Sequence, residues 1–209
     1  MRALVMSIAG TLLVAAVGRA AEPKLHRLEA GPADGMPVLL LHGARFHSGT
    51  WQKLGTLERL AKEGFRAIAL DLPGYGASAA GPPLDLAQFI ADEKLEKPVV
   101  LAPSMSGGVA LPFVTAHPEQ VSGFVAVAPV GLPVYESALR KLALPTLIVW
   151  GEKDEVVPVA QAQALHSWVK DSQLVILQGA RHPCYLDRPD EFHAALIAFL
   201  KAVAANRKH

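Results

Sequence analysis

Val99-Val100-Leu101-Ala102-Pro103-Ser104-Met105-Ser106-Gly107-Gly108 decides the reading of this chain. An apolar run ends at a proline, a serine follows, and small residues then open a helix. A sharp strand-to-helix turn of this kind lifts a hydroxyl clear of a sheet. A base can then reach it from one side and backbone N–H groups can reach a substrate oxygen from the other. Glycine is usual two residues before and after such a serine; here Ala102 and Ser106 stand in those places, and small is what the packing demands. An ordinary helix N-cap, where Ser is favoured, accounts equally well for this segment taken alone. Ser106 is the rival nucleophile, although by register it occupies the second glycine position.

Outward from this turn, the chain from Lys24 alternates short apolar runs with amphipathic stretches. That is the pattern of βαβ units, and it predicts an α/β protein with a mostly parallel central sheet and helices on both faces. Strands are expected at 37–41, 67–70, 98–101, 123–127, 146–150 and 174–177, each a nearly continuous apolar run of the kind buried on both faces. Trp51, Leu54, Leu57 and Leu60 mark a first helix with a core-facing stripe, and Phe192, Leu196, Phe199, Leu200 and Val203 mark the last. Only residues 128–145 separate the fourth and fifth of these strands, too few for a large lid domain. The site at the carboxyl ends of the strands is therefore expected to be shallow and open.

Two further strand ends carry chemistry. Thr146-Leu147-Ile148-Val149-Trp150-Gly151-Glu152-Lys153-Asp154 runs into a turn bearing an acid, the right place for a carboxylate that orients a histidine. Glu152 and Glu155 are its neighbours, and spacing alone does not choose among the three. Gly179-Ala180-Arg181-His182-Pro183 follows the last strand and puts His182 in a loop from which its ring could reach the serine. Ser104, Asp154 and His182 thus each follow a predicted strand, in the chain order found where such a turn carries a nucleophile. After 37–41 comes His42-Gly43-Ala44-Arg45, a turn that can aim the Ala44 N–H at a developing oxyanion, with the Met105 N–H as second donor. His42 is then a turn-shaping residue, not a base. Asp71-Leu72-Pro73-Gly74-Tyr75-Gly76 is read as a structural turn, its Asp a false candidate for the acid.

Composition narrows the rest. The net charge is +1 and the 20 Lys and Arg are spread along the chain, which speaks against nucleic acid as a partner. The single cysteine, Cys184, excludes an internal disulfide, and the eight histidines lack ligand spacing, so neither a metal nor another cofactor is expected. Cys184 stands two residues past His182, where it lines the site or packs as an inert thiol. Arg2, the apolar run from Ala3 to Val17 and Gly18-Arg19-Ala20 have the three-part layout of a secretory signal peptide, with cleavage after Ala20. The run is shorter than the roughly 20 residues needed to span a bilayer core, so a permanent anchor by residues 3–17 is the weaker alternative. Residues 1–20 are accordingly read as a leader to an exported, periplasmic or secreted protein, and 21–209 as one catalytic domain with no membrane span of its own.

Leu40-Leu41-His42-Gly43, Asp71-x-Pro73-Gly74-x-Gly76-x-Ser78, the Ser104 turn, Trp150-Gly151-x-x-Asp154 and Gly179-x-x-His182 together resemble the α/β-hydrolase superfamily across nearly the whole mature chain. Leu41-His42-Gly43-Ala44-Arg45-Phe46, Pro103-Ser104-Met105-Ser106-Gly107 and His182-Pro183-Cys184-Tyr185-Leu186-Asp187 are similar to the α/β-hydrolase domain-containing protein 14 family, which shares the serine in place of the second glycine. The resemblance implies Ser104 as nucleophile, Asp154 as acid and His182 as base. It implies hydrolysis of small activated esters, or, as in one branch, removal of acetyl groups from lysine by transfer to coenzyme A. Two departures bear on the transfer: the leader has no counterpart in the cytosolic branch, and the segment before Pro37 is short for that branch's opening hairpin. In an exported protein water is the expected acyl acceptor. A catalytically silent scaffold used for binding is the reading from another class. Dehalogenase chemistry would need a carboxylate where Ser104 stands.

Overall fold

The computed structural model describes residues 25–207. Seven strands form one sheet: β1 (Arg27–Ala30), β2 (Pro37–Leu40), β3 (Arg66–Leu70), β4 (Val99–Pro103), β5 (Gly123–Val127), β6 (Thr146–Gly151) and β7 (Ser172–Leu177). Their order is β1-β3-β2-β4-β5-β6-β7, with β1 antiparallel to β3 and every other pair parallel. All six expected strands are present, with ends displaced by at most two residues. The strand absent from the sequence reading is β1. Its four residues, Arg-Leu-Glu-Ala, make no apolar run; Leu28 and Ala30 face the core while Arg27 and Glu29 form ion pairs on the other side. Charges of this kind protect a sheet edge from further pairing.

Period-two geometry sends alternate residues of each central strand to opposite faces. Val38, Leu40, Val99, Leu101, Val125, Val127, Leu147 and Val149 face α1 (Ser48–Lys53), α2 (Thr56–Lys62) and the helix that closes the described chain. Leu39, Leu41, Val100, Ala102, Phe124, Ala126, Ile148 and Trp150 face α3 (Leu86–Asp92), α4 (Gly107–Ala116), α5 (Glu136–Leu139) and α6 (Ala160–Trp168). α7 (Cys184–Asp187) and the long α8 (Pro189–Asn206) complete the first layer. The expected first helix is two: the chain breaks at Gly55, whose φ of +71° suits glycine, so Trp51 lies in α1 and Leu57 and Leu60 in α2. Trp51, Tyr185 and Phe192 stack in this layer, each fully buried. Burial of one such side chain contributes roughly 1.5–3 kcal/mol.

Residues 128–145 hold one 3-10 turn and α5, so among the described residues this connection forms no lid domain over the carboxyl ends of the strands. Among the described residues no helix is long and apolar enough to cross a membrane. The segment read as a signal peptide lies outside the described residues.

One buried group couples the fold to pH. His193 on α8 is 1% exposed and its Nε2 pairs with Thr56 Oγ1 on α2 at 2.8 Å, while Nδ1 has no partner among the described residues. Burial, with Arg59 nearby, pushes its pKa down to about 4. The unfolded chain therefore takes up this proton first. The stability that neutral His193 contributes is full above pH ~6.5 and is lost as pH falls toward 4, a loss of about 3 kcal/mol by linkage. His193→Gln, which can keep the Thr56 bond without titrating, is expected to flatten the fall in Tm between pH 6.5 and 4, measured by thermal melts.

Candidate active site

Strand β4 delivers Ser104 into a left-handed backbone conformation, φ +49°, costing roughly 1–2 kcal/mol for a residue with a Cβ. Two contacts hold it there. The Val130 N–H donates to the Ser104 carbonyl at 2.9 Å, and Gly107 packs so closely that a Cβ would stand 2.5 Å from the Val130 carbonyl oxygen. The indispensable glycine of this turn is therefore Gly107, one residue beyond the expected place. Ser106, the rival nucleophile, is fully buried and donates its hydroxyl to the Pro103 carbonyl at 2.8 Å, so it plays a structural part.

The loop after β7 brings His182 to the serine. Its Nε2 is 2.9 Å from Ser104 Oγ, and its Nδ1 is 2.7 Å from Asp154 Oδ2. The Asp154 side chain is fully buried, and its other oxygen accepts from the Val156 and Val157 N–H groups at 2.9 and 2.8 Å. The carboxylate is thus fixed by the turn that carries it. With the imidazole 12% exposed, substrate and water can reach the pair.

The competing acids are elsewhere. Glu152 accepts from the Gly179 N–H at 2.8 Å, bracing the loop that leads to His182, and Glu155 is exposed. Asp71 is 1% exposed and accepts from Ser48 N–H at 2.6 Å and Ala77 N–H at 2.8 Å, with His26 Nδ1 at 2.9 Å. Burial alone would raise its pKa, but the Ala77 and Ser48 hydrogen bonds and His26 hold it below the ordinary value. It clamps β1, the start of α1 and the turn after β3; a Cβ at Gly76 would lie 2.1 Å from its Oδ2. Cys184 is buried, and burial pushes its thiol up to about 12, so it carries no thiolate at neutral pH.

Gly43 lies beside the serine: a Cβ there would meet Ser104 Cβ at 3.6 Å and Phe46 Cδ2 at 3.4 Å. Ala44 and Met105 flank this point from the loop after β2 and from the turn after β4. A cavity of about 750 Å³ lies at the other end of the sheet, between Met36, Phe65, Arg66, Lys201 and Arg207. The serine and histidine lie on the open carboxyl face expected from the short connection after β5.

Known proteins resemble the chain in both sequence and fold. The model of the alpha/beta hydrolase family matches residues 38–144. Human "Putative protein-lysine deacylase ABHD14B" is 44% identical over 190 residues, covering 84% of this chain and 89% of that protein. Zebrafish (Danio rerio) "Protein ABHD14A" is 41% identical, covering 86% and 72%. The crystal structure of a CIB-like hydrolase from Thermoplasma acidophilum superposes with a TM-score of 0.78 at 27% identity, covering 86% of this chain and 99% of that one. With this degree of identity over most of its length and a matching family model, the chain belongs to the α/β-hydrolase family, in the group that contains ABHD14A and ABHD14B.

Proposed function

We propose that the protein is a serine acyl hydrolase in which Ser104 is the nucleophile, His182 the general base and acid, and Asp154 the group that orients the imidazole. The observation that carries this reading is the continuous hydrogen-bonded line from Asp154 Oδ2 through His182 to Ser104 Oγ. His182 takes the Ser104 proton as Oγ attacks the acyl carbon, and the Ala44 and Met105 N–H groups receive the oxyanion. Collapse of the tetrahedral intermediate expels the alcohol or amine, which takes the proton from His182. Water, deprotonated by His182, then attacks the acyl-enzyme and releases the acid. Small esters or amides are the substrate class, since residues 128–145 form no lid domain over the serine. Water is the acceptor and export through residues 1–20 the route; the signal-peptide layout of that segment and the uncovered site support both.

A second reading has its own support in the 44% identity to human ABHD14B, which is named a "putative protein-lysine deacylase". An acyl-lysine on a protein surface suits an uncovered serine, with coenzyme A or water taking the acyl group. An acetylated-lysine peptide with and without coenzyme A separates this from simple ester hydrolysis.

A fluorophosphonate probe is expected to label the protein, to label Ser106→Ala, and not to label Ser104→Ala. Labelling of a folded Ser104→Ala variant would move the nucleophile elsewhere. Asp154→Asn is expected to lower kcat on 4-nitrophenyl acetate by roughly 10³–10⁴-fold, because the amide leaves the imidazole in the wrong tautomer. N-terminal sequencing of protein recovered from its host is expected to begin at Ala21.

A further inference from the structure

His42 is fully buried between the loop after β2 and the turn after β3. The Leu72 backbone N–H points at its Nε2, 3.0 Å away. A peptide N–H only donates, so Nε2 must offer a lone pair and the ring proton must sit on Nδ1. Nδ1 is 2.9 Å from the Gly43 carbonyl oxygen, which it therefore donates to. The same oxygen accepts from the Phe46 N–H at 3.0 Å. Burial holds the imidazole below its ordinary pKa, which keeps it neutral and the tautomer defined.

Across a trans peptide the carbonyl and the following N–H point in opposite directions. Fixing the Gly43 carbonyl toward His42 and Phe46 therefore fixes the Ala44 N–H away from them. Gly43 has no side chain to resist rotation of this peptide, so its orientation depends on what the carbonyl bonds. The Leu72–Tyr75 turn also reaches the second donor: Tyr75 packs edge-on against the His42 ring, and its hydroxyl donates to Met105 Sδ at 3.1 Å.

We propose that His42 is a positioning residue which, by accepting from Leu72 and donating to Gly43, aims the Ala44 N–H at the oxyanion formed on an acyl group attacked by Ser104. The proposal rests on the serine-hydrolase reading above. His42 touches no reacting atom; it acts through one peptide plane. The segment Asp71–Ser78, which supplies no acid to the site, thereby acquires a catalytic purpose, because the Asp71 clamp holds Leu72 where its N–H selects the tautomer.

Three substitutions separate this from a packing role. The side-chain nitrogen of Asn overlays Nδ1 of histidine, whereas the terminal amide of Gln overlays Nε2. His42→Asn keeps the bond to Gly43, His42→Gln keeps only the one to Leu72, and His42→Ala keeps neither. On 4-nitrophenyl acetate, His42→Ala and His42→Gln are expected to lose about 10²–10³-fold in kcat, the cost of one oxyanion donor, with KM changed less than about threefold. His42→Asn is expected to recover at least tenfold of that loss, with Tm values of the Asn and Gln variants alike. Crystal structures should show the Gly43 carbonyl still on residue 42 in His42→Asn and turned away in His42→Gln. Equal kcat for the Asn and Gln variants, or an unmoved Gly43 peptide in His42→Gln, overturns the proposal even where His42→Ala does not fold. A parent protein that neither hydrolyses esters nor takes the fluorophosphonate label would count against the hydrolase reading instead, while the two structures still decide the peptide's orientation.

Discussion

The left-handed backbone of Ser104 is the constraint around which the rest is arranged. A residue with a Cβ does not rest at φ +49° without support, and the roughly 1–2 kcal/mol of strain is offset by contacts local to the turn. The Val130 N–H on the Ser104 carbonyl and the Gly107 backbone against Val130 tie the turn to the loop after β5. Because β4 and β5 are paired parallel from Val99 to Pro103, that loop begins level with the serine, and the brace is a consequence of register. A bulkier residue at 107 would break the contact, whereas position 106 tolerates a serine because its hydroxyl turns back onto Pro103.

The two carboxylates buried at the carboxyl end of the sheet each have defined partners, which is what burial requires of them. Asp154 satisfies both oxygens, one on its own turn and one on His182. Asp71 satisfies its oxygens on Ser48, Ala77 and His26, and so replaces three loose loop ends by one anchored node. Two carboxylates of similar burial thus serve different ends, and the difference is the partner: an imidazole in contact with a serine for Asp154, backbone donors and a half-exposed His26 for Asp71.

The sheet was legible because six of its strands are buried on both faces and write themselves as apolar runs. Edge strand β1 was not, since an edge needs only two inward side chains and protects itself with charge. The first helix read as continuous because periodicity does not register one glycine; the left-handed Gly55 divides it. Ser104, Asp154 and His182, the residues of the proposed mechanism, were singled out by their place after strands, and the fold brings their side chains into one hydrogen-bonded line. Choosing Asp154 over Glu152 from residues alone was beyond that signal, because Glu152 differs only in the direction its side chain takes, onto Gly179. The same holds for Gly107 and for the tautomer of His42, both set by contacts between segments distant in sequence.

In the proposed hydrolase, an uncovered site changes where catalytic power must come from. A lid would strip water from the reacting groups and strengthen every charge interaction beneath it. Here residues 128–145 are too short to do so, and a cavity of about 750 Å³ lies at the opposite end of the sheet, away from the serine. Stabilisation of a developing oxyanion then falls on donors that are rigid before substrate arrives, since mobile dipoles on an open face would be no better than solvent. The loops after β2 and β3, which hold no member of the Ser104, His182 and Asp154 line, meet that demand with the buried hydrogen bonds of His42 and Asp71. Rigidity of the peptide between Gly43 and Ala44 substitutes for enclosure.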